Sequence, residues 1–255
     1  MATRCPLVHG HRGARALRPE NTIAAFEYAI QVGADALEMD VAVTKDNVLV
    51  ISHDPHIHPE ICQGPHPGVA IRQLTLAELR EYDCGSLKNP RFPKQQPVPG
   101  ACIPTLDEVL SLSTGNNVQF NIEIKSFPDH PELTPPPDIF ARMVFDVIRR
   151  HNLESRSIIQ SFDFRTLREL QGIRIAALWE GPPRPFVEIA REASAGIIAP
   201  YFELVTLEQV QAAHAANLEV IPWTVNTPEA WRMLIDAGVD AIITDDPAAL
   251  IAYLS

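Results

Sequence analysis

The sequence predicts an α/β fold: a closed (β/α)8 barrel of the TIM type, with a small insertion after a strand hairpin that follows the second strand. Short apolar segments alternate with helical ones along most of the 255 residues. Helical segments end at Gly33, Gly196 and Gly238, and an apolar strand follows each glycine. The alternative, an open doubly wound sheet, would favour a Gly-rich phosphate loop after the first strand, and the sequence has none there.

Eight principal strands are expected along residues 1–255, which we interpret as a single catalytic barrel domain. They lie near residues 5–11, 35–43, 118–125, 157–161, 174–179, 196–200, 218–224 and 240–244. Capping-box spacing indicates helix starts at Thr75, Thr105 and Thr206. Proline at the first helical position indicates two more, after Thr227 and Asp246. Because strands and helices alternate, the sheet is expected to be parallel, and about 250 residues suffice for eight such units.

A hairpin is predicted directly after the second strand. Asp46 and Asn47 can form its two-residue turn, which leads into a short apolar run. With that turn, Asp40 lies opposite His53, and directly opposed side chains have Cβ atoms about 4.5–5.5 Å apart. A slip of one residue would abolish this pairing.

Two long segments interrupt the regular pattern. Residues 54–104 are rich in proline, glycine and histidine and contain one short helix near 75–83. A loop of this length inside a compact domain is typically functional or disordered, and we expect it to be an insertion subdomain that covers the barrel mouth. A second proline-rich loop, residues 127–138, is expected to form another rim.

Composition and charge exclude several classes of protein. Hydrophobic residues make up 46% and charged residues 21%, as in a globular protein, and the formal net charge is −11. That charge disfavours binding to nucleic acid or to an anionic membrane, although a small phosphate ester could bind in a locally positive pocket. The sequence has neither an apolar stretch of about 20 residues nor an apolar signal core, so no stable membrane anchor and a cytoplasmic location are expected. The oligomeric state is left open.

The four cysteines, Cys5, Cys62, Cys84 and Cys102, form no C-x-x-C pair. We therefore expect free thiols in a reducing compartment and no zinc site.

Three carboxylates predict a metal site. Residues two apart on a strand share a face, so Glu38 and Asp40 point the same way, as do Glu123 and Lys125. The other face of a barrel strand packs against helices, so these carboxylates are expected to point inward. Unpaired buried carboxylates are costly, and a cation removes that cost. Because the donor set is all oxygen, Mg²⁺ or Ca²⁺ is favoured over Zn²⁺.

Two histidines, His11 and His53, each end a strand beside these carboxylates. A pKa near neutrality suits them to act as one general base and one general acid, in an order that the sequence does not decide. The remaining histidines are interpreted as structural (His9, His130, His151, His214) or as part of the insertion (His56, His58, His66).

Other side chains at strand ends complete the predicted site. Arg12 and Lys125 would neutralise the nonbridging oxygens of a phosphate, or pair with the acids, and Lys125 could instead be a Schiff-base amine. Trp223 and Phe162 follow strands at the end where barrel active sites open and are expected to line the pocket. The segment 244–247 is expected to cap the following helix rather than to take part in chemistry.

Taken together, these motifs resemble the glycerophosphodiester phosphodiesterase family, in family order and over residues 7 to 247. They are His11-Arg12-Gly13, Pro19-Glu20-Asn21-Thr22, Glu38-Met39-Asp40-Val41, His53-Asp54, Glu123-Ile124-Lys125, Gln160-Ser161-Phe162-Asp163, Trp223-Thr224-Val225-Asn226 and Thr244-Asp245-Asp246-Pro247. Single motifs such as E-x-D are common, whereas the ordered set is specific. The chain departs from the family at His9, which shares a face with His11 and could perturb its pKa, and in the proline-rich segment Asn89 to Gly100.

The resemblance implies a TIM-type barrel with a small inserted domain that hydrolyses glycerophosphodiesters. The implied products are glycerol phosphate and an alcohol such as choline or ethanolamine. The implied site has one divalent cation on Glu38, Asp40 and Glu123, the acid–base pair His11 and His53, and phosphate contacts from Arg12 and Lys125. The alternatives are a lysophospholipase D-like phosphodiesterase, a lyase or aldolase that uses Lys125, and a barrel that binds phosphate esters without turnover.

Overall fold

A computed structural model describes residues 5–168 and 170–255 and confirms the barrel. Its strands are β1 Leu7–Gly10, β2 Ala36–Val43, β3 Leu49–Ile51, β4 Gln119–Ile124, β5 Ser157–Ser161, β6 Arg174–Trp179, β7 Ile197–Pro200, β8 Glu219–Val220 and β9 Ala241–Thr244. Its α-helices are α1 Ile23–Gln31, α2 Leu76–Leu79, α3 Leu106–Leu110, α4 Pro137–Arg150, α5 Phe164–Leu167, α6 Phe186–Ala193, α7 Leu207–Ala215, α8 Pro228–Ala237 and α9 Pro247–Leu254. Each predicted strand is present, although β8 is shorter than expected.

The parallel strands follow one another around the barrel in the order β8-β7-β6-β5-β4-β2-β1-β9. Backbone hydrogen bonds bring the two ends of this path together: Asp240 N donates to Val220 O (3.0 Å), and Ile243 N donates to Pro222 O (3.0 Å). An apolar cluster fills the interior between β5 and β9, whereas the opposite faces of these strands pack against the helices. Polar side chains at the carboxyl ends of the strands therefore share one mouth above an apolar floor.

The helix signals in the sequence are confirmed with one exception. Thr75 and Thr105 form complete capping boxes, and proline occupies the first position of α8 and α9. Gly238 ends α8 in the left-handed region, at φ 84°. The end of α6 differs, because Ser194 rather than Gly196 adopts that conformation, at φ 55°. In the described residues no helix is long and apolar enough to cross a membrane, and α4, with 14 residues, is the longest.

The hairpin forms, but its register differs by one residue from the prediction. Val41 pairs with Ile51, so Asp40 lies opposite Ser52, whose backbone N donates to Asp40 O (2.9 Å). The expected pairing of Asp40 with His53 is therefore wrong. His53 follows the end of β3 and still lines the same cavity as Asp40.

The length of the turn explains the shift. Thr44 O accepts from Asn47 N, and Thr44 N donates to Val48 O, both at 3.0 Å, so three residues form the loop instead of two. Asn47 adopts φ 62°, a left-handed conformation that asparagine tolerates better than most residues. A turn followed by one left-handed residue is a common three-residue hairpin loop, and the extra residue moves every pair by one.

Residues 54–104 join β3 to α3 and carry a small apolar cluster of their own. Ile57, Ile71, Leu79 and Tyr82 are buried in it, and the backbones of Gln63 and Asp83 pair as a short antiparallel bridge. That bridge brings together the residues next to it, Cys62 and Cys84, whose Cα atoms lie 3.9 Å apart and whose sulfurs form a disulfide bond.

The prediction of four free thiols is therefore wrong for Cys62 and Cys84 and is confirmed for Cys5 and Cys102. The disulfide was not evident because its cysteines are 22 residues apart and only the fold brings them together. The expectation of a reducing compartment was based on four free thiols, so the disulfide removes that support.

The proline-rich segment, residues 89–100, packs on the loop that follows β1. Gln95 is only 2% exposed, and its Nε2 donates to the backbone oxygens of Arg15 (2.7 Å) and Arg18 (3.1 Å). The guanidinium of Arg15 lies over the ring of Phe92, 4.8 Å from its centroid. This part of the insertion is thus fixed to the β1 loop by a buried amide and by cation–π contact.

Candidate active site

One cavity of about 490 Å³ opens at the barrel mouth, and all nine predicted site residues line it. They are His11, Arg12, Glu38, Asp40, His53, Glu123, Lys125, Phe162 and Trp223. The insertion adds His58, Glu60, Ile61, Asn89 and Arg91 to its wall. Pro128, from the loop expected to form a second rim, instead lines a neighbouring groove together with Phe162.

The carboxylates of Glu38, Asp40 and Glu123 converge, as predicted. Each offers an oxygen, these oxygens lie within 4.8 Å of one another, and all three residues are buried. The pairing of β2 with β4 causes this, because Asp40 and Glu123 are partners in the register and Glu38 shares their face. Burial, followed by the charges of Asp40 and Glu123, raises the pKa of Glu38 well above its usual range.

Hydrogen bonds hold two of these carboxylates in place. Gln160 Nε2 donates to Glu38 Oε1 (3.2 Å), and Asn21 Nδ2 donates to Asp40 Oδ2 (3.1 Å). The other amide oxygens, Asn21 Oδ1 and Gln160 Oε1, are buried and have no hydrogen-bond partner among the described residues. Neither amide was assigned a role from the sequence, although both lie in the motifs that carry the family resemblance.

This donor set fits a divalent cation. Oxygens of three buried carboxylates lie within 4.8 Å of one another, and a hard cation with oxygen ligands would stabilise their ionised forms against burial and mutual repulsion. Glu38, Asp40 and Glu123 could therefore hold one divalent metal ion.

Two cations flank the carboxylates. Arg12 Nη1 donates to Glu20 Oε1 (2.6 Å), and Arg12 Nε lies 3.3 Å from Asp40 Oδ2. Lys125 Nζ lies 3.0 Å from Glu123 Oε1 and 3.7 Å from Asp40 Oδ1. Burial alone would raise the pKa of Asp40, but Arg12, His53 and Lys125 together hold it below its usual range. Both cations line the cavity while paired with these carboxylates.

The turn that presents Arg12 requires glycine at the next position. Arg12 and Gly13 both adopt positive φ, 50° and 84°, and the backbone N of Arg12 donates to Glu38 Oε2 (3.0 Å). A Cβ on Gly13 would lie 2.6 Å from the backbone carbon of Ala25 in α1. This close approach and the positive φ explain the glycine at position 13.

His11 is buried and held by Asp245, whose Oδ1 lies 2.6 Å from its Nδ1. Because an ionised carboxylate only accepts hydrogen bonds, Nδ1 carries the proton, and Nε2, 3.9 Å from Glu38 Oε2, is left free to accept one. Burial is the main cause that lowers the pKa of His11 to about 4. Asp245 opposes this by raising the pKa, whereas the charges of Arg12 and Arg15 lower it further.

Asp245 is the main residue that sequence reasoning missed. The segment 244–247 was expected to cap a helix, and Asp246 does so, since its Oδ1 accepts from Ala249 N (3.0 Å). Asp245 instead contacts His11, accepts a hydrogen bond from Asn226 Nδ2 (2.7 Å) and forms an ion pair with Arg15, whose Nε lies 2.8 Å from its Oδ1. Strand alternation could have found it, because residue 245 continues the interior face of β9.

His53 lies in a different environment from His11. Its side chain is 35% exposed, and its Nδ1 lies 3.0 Å from Asp54 Oδ1. Asp54 also approaches His58, with Oδ2 4.0 Å from Nε2. The two histidines thus face one cavity, one fixed inside the barrel and the other at its edge.

His9 lies below this site, buried, with Nδ1 3.5 Å from Asn121 Nδ2. Burial, together with the charge of Arg174, lowers its pKa to about 3, so it is neutral at pH 7.

Phe162 and Trp223 both line the cavity, and their rings pack against each other. Their ring centroids are 5.5 Å apart and the rings are nearly perpendicular, at 88°. Trp223 Nε1 donates to Ala199 O (2.8 Å), which fixes the indole, and the ring of Tyr201 packs on it with centroids 5.8 Å apart.

Comparison with known proteins identifies the family. The model of the glycerophosphoryl diester phosphodiesterase family matches residues 11–249. A glycerophosphodiester phosphodiesterase of Caldanaerobacter subterraneus subsp. tengcongensis is 34% identical over 250 residues, which cover 96% of each chain. A putative glycerophosphoryl diester phosphodiesterase from Silicibacter pomeroyi superposes with a TM-score of 0.90 at 30% identity, covering 98% of this chain and 93% of that one.

A phosphodiesterase from Oleispira antarctica, solved with its product sn-glycerol-3-phosphate, shares the fold at a TM-score of 0.81 and 24% identity, covering 98% of this chain and 97% of that one. The sequence relatives, the barrel and the matched family model agree with one another. The chain therefore belongs to the glycerophosphoryl diester phosphodiesterase family and is an enzyme of that class, a phosphoric diester hydrolase.

Proposed function

We propose that this chain hydrolyses glycerophosphodiesters to glycerol phosphate and an alcohol, with one divalent cation, Mg²⁺ or Ca²⁺, held by Glu38, Asp40 and Glu123. The observation that carries the proposal is the convergence of three buried carboxylates, two histidines and two cations on one cavity. The products would place the enzyme in lipid and glycerol metabolism.

The positive side chains bind the substrate's phosphate. Arg12 and Lys125 now neutralise carboxylates, and both reach the cavity, so they are placed to bind nonbridging oxygens as charge develops there. A bound dication would supply Lewis-acid stabilisation of the same charge.

The histidines move the protons. One accepts a proton from the nucleophile, which is water or the substrate's own glycerol hydroxyl, and the other gives a proton to the departing alkoxide. Asp245 fixes His11 in the tautomer whose Nε2 can accept a proton, and its negative charge stabilises the imidazolium that then forms. Asp245 is a positioning residue in this scheme.

Two alternatives are less well supported. A Schiff-base role for Lys125 needs a neutral amine, but Glu123 and Asp40 together outweigh burial and raise the pKa of Lys125. A lysophospholipid substrate needs an apolar path for its acyl chain, and the cavity rim carries the charged residues Glu60, Arg91 and Glu180.

The test is an assay of purified protein with a panel of glycerophosphodiesters and lysolipids, before and after removal of metal. Release of glycerol phosphate that stops with chelator and returns with Mg²⁺ or Ca²⁺ supports the proposal. Full activity in protein shown to be metal-free contradicts the metal assignment. Hydrolysis of lysolipids alone contradicts the substrate assignment.

A further inference from the structure

Arg15 is a buried cation to which the proposed hydrolysis gives no contact with the substrate. It lies in the loop after β1, lines the cavity, and is only 8% exposed. Its Nε lies 2.8 Å from Asp245 Oδ1, and its guanidinium lies over the ring of Phe92. No described residue accepts a hydrogen bond from its Nη1 or Nη2. Because a guanidinium has five N–H donors in one plane, this wall of the cavity keeps donors for a ligand.

A second guanidinium lies beside Arg15, on the insertion. Arg91 lines the same cavity and directly precedes Phe92, whose ring centroid is 4.8 Å from Arg15 Cζ. Gln95 fixes this segment, because its Nε2 donates to Arg15 O (2.7 Å) and its Oε1 accepts from Asn89 N (3.0 Å). Arg91 has no ion-pair partner within 4.0 Å among the described residues. Packing thus places two arginine side chains on one wall of the cavity.

Acidic side chains also line this side of the cavity, at Asp54 and Glu60. Asp54 is already engaged, since its Oδ1 lies 3.0 Å from His53 Nδ1 and its Oδ2 lies 4.0 Å from His58 Nε2. Glu60 is exposed, so water and salt screen its charge, whereas the charge of buried Arg15 acts through a lower dielectric. These carboxylates therefore do not take the place of a ligand at Arg15.

The charges around Arg15 do not fully compensate its own. Burial is the main cause that lowers the pKa of Arg15. Asp245 and Glu20 raise this pKa, whereas Arg12 and Arg91 lower it further. Glu20 is itself bound to Arg12, with Oε1 2.6 Å from Nη1. Because surroundings that lower the pKa of a cation disfavour its charge, an anion bound beside Arg15 would be stabilised there.

The two arginines are within reach of a substrate in the proposed site. Asp245 Oδ1 contacts both Arg15 Nε (2.8 Å) and His11 Nδ1 (2.6 Å), so the guanidinium is one carboxylate away from a proposed proton carrier. A substrate arm that extends from the phosphate toward the insertion therefore meets Arg15 and Arg91. A carboxylate or phosphate on that arm could accept two parallel bonds from one guanidinium, which a neutral hydroxyl cannot do.

We propose that Arg15 and Arg91 form an anion subsite on the insertion side of the cavity, which binds a second negatively charged group on one arm of the phosphodiester. That group is a carboxylate or a phosphate. The enzyme therefore prefers diesters with such an anion to diesters whose arms are both neutral. This inference rests on the proposed hydrolysis of glycerophosphodiesters and adds the charge of the preferred substrate.

Diesters that differ in a single group test the subsite. Glycerophosphoglycerate has a carboxylate where the neutral glycerophosphoglycerol has a hydroxymethyl group, and a third diester carries a terminal phosphate on the same glycerol. The kcat/KM of the better anionic diester should exceed that of the neutral one by about tenfold, as for a charge-assisted hydrogen bond. The difference between the two anionic diesters identifies the preferred anion. Equal kcat/KM for all three diesters, or a preference for the neutral one, overturns the subsite and leaves the phosphodiesterase intact.

Matched variants assign the preference to residues. Arg91→Gln removes one charge from the cavity wall and should reduce the tenfold ratio several-fold. Lys94→Gln removes an exposed charge of the same segment that does not line the cavity, and it should leave the ratio unchanged. Arg15→Lys keeps a cation near Asp245 but loses the planar fork, so its ratio should also fall. A native ratio in either arginine variant overturns the role of that arginine.

A binding experiment separates this inference from the proposed function. Phosphonate analogues of the glycerate and glycerol diesters, in which carbon replaces the scissile oxygen, are titrated calorimetrically into the intact chain with Mg²⁺ or Ca²⁺ present. The glycerate analogue should bind about tenfold more tightly, and Arg91→Gln should bring the two affinities together. If none of the diesters is hydrolysed, the proposed function fails and this titration judges the subsite by itself. Equal affinities of the two analogues overturn the subsite.

Discussion

Arg15 and Asp245 are joined by an ion pair, with Nε 2.8 Å from Oδ1, and this pair connects the insertion to His11. On one side, Gln95 donates to the backbone oxygen of Arg15, and the ring of Phe92 packs against its guanidinium. On the other side, Asp245 contacts both Arg15 and Nδ1 of His11. The proline-rich segment is therefore linked to a proposed proton carrier through one cation and one carboxylate, although its only direct contribution to the cavity is at Asn89 and Arg91.

Gln95→Ala should lower both stability and turnover. It leaves the backbone oxygens of Arg15, in a buried bond, and Arg18, in a partly buried one, without their donor, at a cost of about 1–3 kcal/mol in the free energy of unfolding. Because Arg15 then loses its support, kcat should fall more than KM changes. Denaturant unfolding and steady-state kinetics measure the two effects.

The control is Gln96→Ala, whose side chain is exposed and donates only to Lys94 O. Identical behaviour of the two variants contradicts the role of Gln95.

Asp245→Asn should reduce kcat by roughly 10²–10⁴-fold, the range of a general acid–base contribution, with little change in KM. The amide removes the negative charge that fixes the tautomer of His11 and stabilises its protonated form. Its neighbour provides the control, because Asp246→Asn keeps an equally good helix cap for α9. Comparable losses in both variants would mean that the segment acts through the helix and not through His11.

His11→Ala and His53→Ala should each lose most of the turnover, again by roughly 10²–10⁴-fold, while the far-UV circular dichroism spectrum stays native. His130→Ala is the matched control, since that imidazole is 65% exposed and lies in the loop outside the cavity. Near-normal kcat in both site variants rejects the acid–base assignment.

Glu38→Gln should stabilise the metal-free protein and abolish its stabilisation by metal. The substitution removes a carboxyl whose ionisation is opposed by burial and by the charges of Asp40 and Glu123, and it also removes a metal ligand. The native chain should gain about 2.7 kcal/mol at a metal concentration one hundred times Kd. Thermal unfolding with and without Mg²⁺ or Ca²⁺ reads out both effects without an activity assay. An undiminished gain in the variant would place the ion elsewhere.

Asp83→Asn should destabilise the insertion in a pH-dependent way. The Asp83 carboxylate accepts from the backbone N–H groups of Gly85 (2.8 Å), Ser86 (2.9 Å) and Gly100 (3.1 Å). Burial opposes ionisation, but these bonds and the Ser86 hydroxyl lower the Asp83 pKa below its usual range.

Because the folded-state pKa lies below the unfolded value of about 4, the carboxylate contributes its full stabilisation above that pH and loses it as the pH falls toward the folded-state pKa. The denaturation midpoint of Asp83→Asn should therefore be lower than that of the native chain at pH 7, and the two should converge as the pH falls below about 4. A constant difference across this range would contradict the hydrogen-bonding role of the charge.

Much of the fold and site could be predicted because strand alternation is a local rule. It placed Glu38, Asp40 and Glu123 on one interior face, and the position of Phe162 and Trp223 after strand ends placed them at the mouth. The hairpin register could not be predicted, since it depends on one asparagine adopting a left-handed conformation.

The roles of residues that act through long-range partners could not be predicted from local patterns. The disulfide joins positions whose proximity depends on the bridge between Gln63 and Asp83. Gln95 bonds to a loop 80 residues earlier in the chain, and Asp245 bonds to a histidine 234 residues away. Alternation could have indicated that Asp245 points to the interior, but its role in orienting a histidine depends on its partners.

The exposed turn at residues 45–47 sets the length of the β2–β3 hairpin, and so the position of His53 relative to Asp40. Removing one of its residues would reverse which side of β3 each following side chain occupies. Surface loops generally tolerate insertions and deletions. Here, the turn can accommodate amino-acid replacements that keep the left-handed conformation at position 47. A change in the number of turn residues would instead shift His53 relative to Asp40, although the turn itself lies outside the cavity.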